Sequence, residues 1–337
     1  MPPNPPHPPS TISPTVDFDL DGRQHGHLVL PHSHDEAAYG AVMIPIAVIK
    51  NGDGPTVLLT GGNHGDEYQG VLSLIKLANT LDPSCIAGRV IVVPCMNQPA
   101  FAAGTRTSPI DKGNLNRSFP GRPDGTHTER IADYVTRTLL PMADAVLDLH
   151  DGGRTLDFIP LASSMILADD PETEARSQAA AEAFGAPYVT KLVELDTLGM
   201  WDVVVTASGR PFVTTGLGGT GGTRPEIVKI TDAGVHNVLV HWGVLSDDPV
   251  AGSPSAHIRV PEVDGYVLST SDGLLEWLVD LGGPVEVGQV IARVHGTKRL
   301  GENPVDYRAT VDGILAMRHH PGLVKMGDAI AMQATLE

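Results

Sequence analysis

Short apolar runs alternate with longer segments of helical periodicity through the first 250 residues of the chain. The runs that begin at Val57, Val90 and Ala145 lack the polar alternation of a half-exposed strand, so they predict strands covered on both faces. The segments from Thr128 and Thr223 have apolar residues at helical spacing and predict helices. Strands that alternate with helices predict an α/β domain, with a mainly parallel mixed sheet flanked by helices.

The pattern changes at both ends of the chain. Residues 1–16 are rich in proline, and we expect them to form a disordered or extended tail. The C-terminal part contains an internal repeat, in which DGLLEWLVDLGGPVEVGQVIARV from Asp272 matches DGILAMRHHPGLVKMGDAIAMQA from Asp312. Repeated β-units of this kind predict a small barrel or sandwich. We therefore expect a catalytic α/β domain over residues 17–250 and a smaller all-β domain over residues 256–337.

Composition narrows the classes of partner. The net charge of −17 over 337 residues argues against nucleic acid or an anionic membrane as a partner. Cys85 and Cys95 are the two cysteines, too few for a disulfide framework. No stretch approaches the roughly 18 apolar residues of a membrane span, and MPPNPPHPPS lacks the features of a signal peptide. We therefore expect a cytoplasmic protein.

Polar residues follow two of the predicted strands directly. In TVLLTGGNHGDEYQG, from Thr56, a strand breaks at glycines and a helix follows, which puts His64 and Glu67 at the carboxyl edge of the sheet. A lone HxxE occurs often by chance, but His150 ends another predicted strand and supplies a third ligand. Two imidazoles and a carboxylate form a ligand set of catalytic zinc. Asp148 lies on the same strand face as His150 and could orient that histidine or pair with a Lys or Arg.

Two other interpretations of the sequence stay open. His25, His27, His32 and His34 could form a second metal site, although their alternation is more typical of a strand and a polar turn. The C-terminal repeats could form a biotinyl- or lipoyl-like carrier. Such carriers modify a lysine in a hairpin, whereas Lys325 lies away from the corresponding turn of the second copy.

Three motifs occur in the order GGNHGDEYQG, GNLNRSFPG and LDLHDGG. Together they resemble the succinylglutamate desuccinylase and aspartoacylase family, which is related to the zinc carboxypeptidases, over most of residues 25–337. The resemblance implies a zinc carboxypeptidase-like sheet and one zinc ion per chain, held by His64, Glu67 and His150. It also implies a hydrolase that removes an acyl group, here acetyl, from a small N-acyl amino acid. We further expect a homodimer.

The resemblance assigns roles within the long polar segment 97–127. Arg117 is implied to hold a substrate carboxylate, with Asn116 beside it and Arg106 near the scissile amide. The residue types agree, because a guanidinium offers a planar fork that matches a carboxylate. Long loops without their own structure are uncommon unless they have a function. The alternative is that both arginines are solvated loop charges.

The chain departs from the family at one position. The family's general base is a glutamate just before the Leu-Gly of the segment written here VTTGLGG, and this chain has Gly216 in that place. Glycine cannot accept a proton, and the nearest carboxylates in the sequence, Glu194 and Glu226, do not match the position. The chain is therefore a variant without its base, an enzyme in which another residue has taken over, or a metal- and amino-acid-binding protein that no longer hydrolyses.

Overall fold

The computed structural model describes residues 8–192, 198–252 and 255–337. The helices are α1 Gln69–Thr80, α2 Gln98–Ala103, α3 His127–Tyr134, α4 Pro171–Phe184, α5 Trp201–Ala207 and α6 Pro225–His241. The strands are β1 Ser13–Pro14, β2 Gly22–Pro31, β3 Ala41–Asn51, β4 Thr56–Gly61, β5 Gly88–Val93, β6 Ala145–Leu149, β7 Leu156–Phe158, β8 Leu161–Met165, β9 Tyr188–Leu192, β10 Phe212–Gly216, β11 Ala256–Arg259, β12 Tyr266–Leu268, β13 Gly273–Trp277, β14 Pro284–Val285, β15 Val290–His295, β16 Val305–Arg308, β17 Gly313–His319, β18 Leu323–Val324 and β19 Ala329–Leu336.

One large mixed sheet crosses the molecule in the order β1-β2-β3-β5-β4-β6-β10-β8-β9-β11-β19-β17-β14. Its centre, β5-β4-β6-β10, is parallel, and β10 then meets β8 in antiparallel orientation. A separate antiparallel sheet, β16-β15-β13-β18, lies in the C-terminal part. The predicted fold class, an α/β sheet flanked by helices with a smaller C-terminal β-structure, is confirmed.

Helices cover both faces of the central strands, which explains why these strands lack polar alternation. Along β4, Leu58 packs on one face with residues of α3 and α5, and Leu59 packs on the other with residues of α1, α4 and α6. Successive strand side chains point to opposite faces, so a strand buried on both needs apolar residues throughout. Among the helices that the structure describes, none combines the length and apolar character needed to cross a membrane.

The described part of the expected disordered tail is held against the sheet. Strand β1 pairs with β2, and Ile12 and Val16 on either side of it are buried. Thr15 Oγ1 accepts a hydrogen bond from His27 N at 2.8 Å. Gly26 permits this approach, since a Cβ there would lie 2.4 Å from Thr15 Oγ1. Two apolar side chains thus anchor a segment that proline content alone marked as unstructured.

The C-terminal part is joined to the rest by backbone pairing. Strand β11 runs parallel to β9 and antiparallel to β19, so the large sheet continues across the predicted domain boundary. Strand β7 also pairs with β17. Residues from both parts form one hydrophobic cluster: Ile159, Leu161, Ile258, Ile314, Ala316, Met317, Met332 and Ala334. The boundary at residues 250–256 stays a prediction, but the two parts share a core.

This shared core predicts the result of removing the C-terminal part. A chain that ends at residue 250 should aggregate or unfold at a much lower temperature than the full chain, because it exposes apolar area buried by β11 and β17. A milder variant, Ile314→Ala, should lower the free energy of unfolding by about 2–5 kcal/mol. The matched exposed change Leu323→Ala should alter it by less than about 0.5 kcal/mol. Thermal denaturation measures all three, and a stable chain ending at residue 250 would contradict the shared core.

Candidate active site

The carboxyl ends of β4 and β6 bring the predicted ligands together. These strands are parallel neighbours, with Gly61 opposite Leu149, so the residues that follow them meet at one edge of the sheet. The turn after β4 depends on glycine. Gly62 has a φ of +60°, and a Cβ on Gly65 would lie 2.0 Å from the carbonyl carbon of Ala100 in α2. The backbone can therefore turn tightly under α2.

His64, Glu67 and His150 form a compact cluster at this edge. His64 Nδ1 lies 2.7 Å from Glu67 Oε1, and His150 Nδ1 lies 2.8 Å from Glu67 Oε2. The ligand atoms of the three residues all lie within 4.8 Å of one another. Within the described parts of the chain, this is the group of His, Cys, Asp and Glu side chains that could hold a metal ion.

Within the described residues, the other histidines singled out in the sequence do not form a second group of this kind, although the rings of His32 and His34 stack at 5.1 Å. His25 Nε2 contacts the carbonyl oxygen of Ala78 in α1 at 2.9 Å. His34 Nδ1 contacts Glu36 Oε2 at 2.9 Å, with both side chains exposed. His25 and His27 lie on β2, as their alternation indicates.

Asp148 orients His150. His150 Nε2 lies 2.8 Å from Asp148 Oδ2, so a proton on Nε2 can be donated to this carboxylate while Nδ1 faces Glu67 in the cluster. Thr60 Oγ1 donates to Asp148 Oδ1 at 2.7 Å, and Asn63 Nδ2 donates to Oδ2 at 3.3 Å. Of the two alternatives for Asp148, the structure shows the contact with the ligand histidine.

Burial and charge set the protonation of the cluster. Burial lowers the pKa of His64 and so favours its neutral form. Burial alone would raise the pKa of Glu67 and Asp148, but the neighbouring histidines outweigh it and hold both below their usual range. Burial opposes a charge on His150, yet the Asp148 and Glu67 carboxylates raise its pKa well above the ordinary value. Burial and the Glu67 charge raise the pKa of Asp151 to about 7.

Sequence reasoning did not identify the role of Asp151. Its Oδ2 accepts hydrogen bonds from the backbone N–H groups of Tyr68 at 2.8 Å and Gln69 at 3.0 Å, at the start of α1. A capping residue normally lies just before its helix, so a cap supplied from beyond another strand leaves no local signal. Asp151 thereby ties the His64 turn to the strand that bears His150.

The substrate residues implied by the resemblance line the same cavity as this cluster, which has a volume of about 340 Å³. Arg106 is half-exposed, and its Nη1 lies 3.6 Å from Glu67 Oε1. A short 3₁₀ turn, Leu115–Arg117, carries the other two. Arg117 Nη1 donates to the backbone carbonyl of Asn116 at 2.7 Å. Asn116 Oδ1 accepts from Trp201 N at 2.9 Å, which fixes this turn to the start of α5.

Gly216 ends β10 and also lines the cavity. Phe212, Thr214 and Thr215 of the same strand line it too, and a Cβ at position 216 points toward Leu161 and Phe158, which also line the cavity. A Cβ there would lie 3.3 Å from Leu161 Cγ and from Phe158 Cδ1, a tight but adjustable contact with two side chains. Glu226 is exposed at the start of α6 and is not among the residues that line the cavity. Glu194 lies outside the described residues.

The C-terminal part closes one side of the cavity with Tyr266, Met317, Ala329 and Met332. The sheet face contributes a second part of the lining, with Leu161, Ser163, Leu192 and Phe212. The start of α5 contributes a third, with Met200 and Asp202. The cavity thus combines a candidate metal-ligand cluster, two arginines and an apolar lining, as small-molecule sites do.

Comparison with known proteins identifies the family. The profile for the succinylglutamate desuccinylase/aspartoacylase catalytic domain matches residues 53–242. The chain belongs to this family. The N-alpha-acetyl-L-2,4-diaminobutyric acid deacetylase of Halomonas elongata is 55% identical over 327 residues, which cover 97% of this chain and 95% of the relative.

Two solved structures of related proteins share the fold over nearly the whole chain. The product-bound ectoine utilization protein EutE (DoeB) from Ruegeria pomeroyi is 51% identical, with a TM-score of 0.95, and the match covers 98% of this chain and 100% of the other. A succinylglutamate desuccinylase/aspartoacylase from Rhodobacter sphaeroides is 39% identical, with a TM-score of 0.92, and covers 97% of this chain and 100% of its own. Family membership therefore extends through the C-terminal part.

Proposed function

We propose that this chain is a zinc-dependent amidohydrolase that removes the acetyl group of N-α-acetyl-L-2,4-diaminobutyrate in ectoine degradation, giving diaminobutyrate and acetate. We also propose that Gly216 slows this reaction strongly in the present chain. The observation that carries the proposal is the convergence of His64, Glu67 and His150 in a cavity that also contains Arg117. The 55% identical deacetylase supports the choice of substrate.

The donor set fits zinc. Two imidazole nitrogens and a carboxylate face one another, and three protein ligands are the usual number in catalytic zinc sites. The hydrogen bond from His150 to Asp148 is the kind of outer contact that orients a ligand histidine. Zinc bound by His64, Glu67 and His150 would supply Lewis acidity toward an amide carbonyl.

The remaining residues would bind and orient the substrate. Arg117 would bind the α-carboxylate, since its guanidinium lies in the cavity and is steadied by the carbonyl of Asn116. Arg106, half-exposed beside Glu67, would lie near the acetyl amide. What the cavity lacks at position 216 is a carboxylate to accept a proton and return it to the leaving amine.

Gly216 favours a second candidate, a binding protein that retains the metal and substrate sites without turnover. Metal analysis combined with an activity screen over N-acetyl, N-succinyl and other N-acyl amino acids separates the candidates. Metal binding with slow release of acetate from N-α-acetyl-L-2,4-diaminobutyrate supports the hydrolase. Metal binding with no release, even in a Gly216→Glu variant, supports the binding protein. Preferential hydrolysis of another N-acyl amino acid would instead assign a different substrate.

The proposal includes a homodimer in the cytoplasm. Light scattering of the purified chain tests the first part, and fractionation of cells that express it tests the second.

A further inference from the structure

Asp202 is a buried carboxylate in the cavity to which the proposed reaction gives no role. It lies in the first turn of α5, and its residue is 5% exposed. Its Oδ1 accepts a hydrogen bond from Val203 N at 2.7 Å. In the ranges that the structure describes, its second oxygen has no donor.

Such a carboxylate is costly to bury. An anion removed from water needs a cation or several hydrogen-bond donors to offset the lost hydration. Burial accordingly raises the pKa of Asp202, although Arg117 and His150 act in the opposite direction. Because Asp202 lines the cavity, a ligand can supply the positive charge that the protein does not place against its free oxygen.

The other described carboxylates that line the cavity are already engaged. Glu67 contacts both ligand histidines. Asp148 contacts His150 and accepts from Thr60. Asp151 caps α1 through its contacts with backbone N–H groups. Asp202 is therefore the described acid of the cavity that retains a free acceptor oxygen.

Ser163 adds a second free acceptor to the lining of the same cavity. It is fully buried, it lines the cavity, and its Oγ has no hydrogen-bond partner among the described residues. Across the sheet, Ser163 lies opposite Thr214, and Thr214 lies opposite Asp148. Two strand spacings, about 10 Å, thus separate Ser163 from the residue that orients His150. A small acylated amino acid extends over a comparable length.

We propose that Asp202, assisted by Ser163, binds the side-chain ammonium group of an N-acyl diamino acid and so selects this substrate over N-acyl amino acids with neutral side chains. The inference rests on the proposed function, in which Arg117 binds the α-carboxylate and the acetyl amide faces the metal cluster. An ammonium group offers three N–H donors, which a carboxylate oxygen and a hydroxyl can accept.

A matched pair of ligands tests this proposal by binding alone. N-α-acetyl-L-2,4-diaminobutyrate and N-α-acetyl-L-2-aminobutyrate share their carbon skeleton, and only the first has the ammonium group. Titration calorimetry of the zinc-loaded chain should give a Kd about 10–100-fold lower for the diamino compound, as expected for a hydrogen bond between charged groups. Asp202→Asn should bring this ratio close to one and leave the Kd of the neutral compound within about threefold, since hydrogen bonds to charged groups are the stronger contribution.

The variant is chosen to keep the fold. Asparagine has the shape of aspartate, and its Oδ1 can still accept from Val203 N, so the melting temperature should not fall. The control Glu226→Gln removes an exposed acid outside the cavity and should leave both Kd values unchanged. Ser163→Ala should raise the Kd of the diamino compound alone, by a smaller factor than Asp202→Asn does.

The outcomes separate this inference from the proposed function. If Asp202→Asn raised the Kd of both compounds by the same factor, Asp202 would have a structural role and the inference would be overturned. An unchanged ratio would also overturn it and would assign the ammonium group to another residue. Binding of both compounds with equal affinity to the parent chain would reject selection by Asp202 while leaving the site intact. If neither compound bound, the proposed function would be refuted, and this inference, which rests on it, would be refuted too.

Discussion

A Gly216→Glu variant should hydrolyse N-α-acetyl-L-2,4-diaminobutyrate about 10²–10⁴-fold faster than the present chain, the range that a positioned acid–base group contributes. The change should appear mainly in kcat, because a proton-transfer group acts in the transition state and adds little to ground-state binding. KM should change less, since Arg117 and the metal ligands are the same in both chains. Steady-state assays of acetate release measure both constants.

The structure can accept a side chain at this position. Gly216 does not require a positive φ, and a Cβ there points toward side chains that line the cavity. The nearest obstacles, Leu161 and Phe158, are side chains that must shift by a few tenths of an ångström.

Gly216→Gln is the matched control for this experiment. It adds a side chain of the same length that cannot act as a base, so it should stay near the rate of the present chain. A Gly216→Gln variant as fast as Gly216→Glu would show that filling the space matters and that proton transfer does not. If the present chain already matched Gly216→Glu, another residue would be the base, and Glu194 would be the next residue to mutate.

The second large effect concerns the metal. The chain should bind about one equivalent of zinc, and His64→Ala or His150→Ala should each abolish it. Removing a ligand should cost more than the roughly 10–100-fold loss of affinity that follows mutation of an outer contact. Asp148→Asn changes such an outer contact and should fall within that range. Elemental analysis after dialysis and competition with a chromophoric chelator measure stoichiometry and affinity.

His257→Ala is a suitable control for the metal prediction, because His257 is half-exposed on β11 and does not line the cavity. Zinc should also raise the melting temperature of the parent and of His257→Ala, since a ligand that binds only the folded state stabilises it. Zinc should not raise the melting temperature of His64→Ala or of His150→Ala. Full zinc content in His64→Ala and His150→Ala would refute the site.

The sequence predicts those parts of the fold whose signal is local. Strands β4 and β5 contain uninterrupted apolar runs, β6 is apolar except for Asp148, and α4 has proline near its start and Gly185 after its end. Strand β7 was missed because Leu156–Phe158 is three residues long and exists through its pairing with β17, far along the chain. Helix α3 begins after Thr126, which caps Glu129 N, and the predicted start, Thr128, instead donates to Asp111.

The residues of the candidate site also differ in whether the local sequence predicts them. His64, Glu67 and His150 could be predicted because each follows a recognisable strand, and parallel strands end at one edge. Asp202 could not, because its chemistry arises from burial, and α5 is a seven-residue helix without a clear pattern.

The continuous sheet between β9 and β11 determines how a ligand reaches the cavity. Swinging the C-terminal part away as a hinged lid would break the backbone pairs of β9 with β11 and of β7 with β17. The cavity wall formed by Tyr266 and Met317 is therefore fixed, and we expect substrate and product to pass the loop that carries half-exposed Arg106. We expect exchange of substrate and product to follow the nanosecond-to-microsecond motion of a loop and its side chains, without the slower rearrangement of a domain.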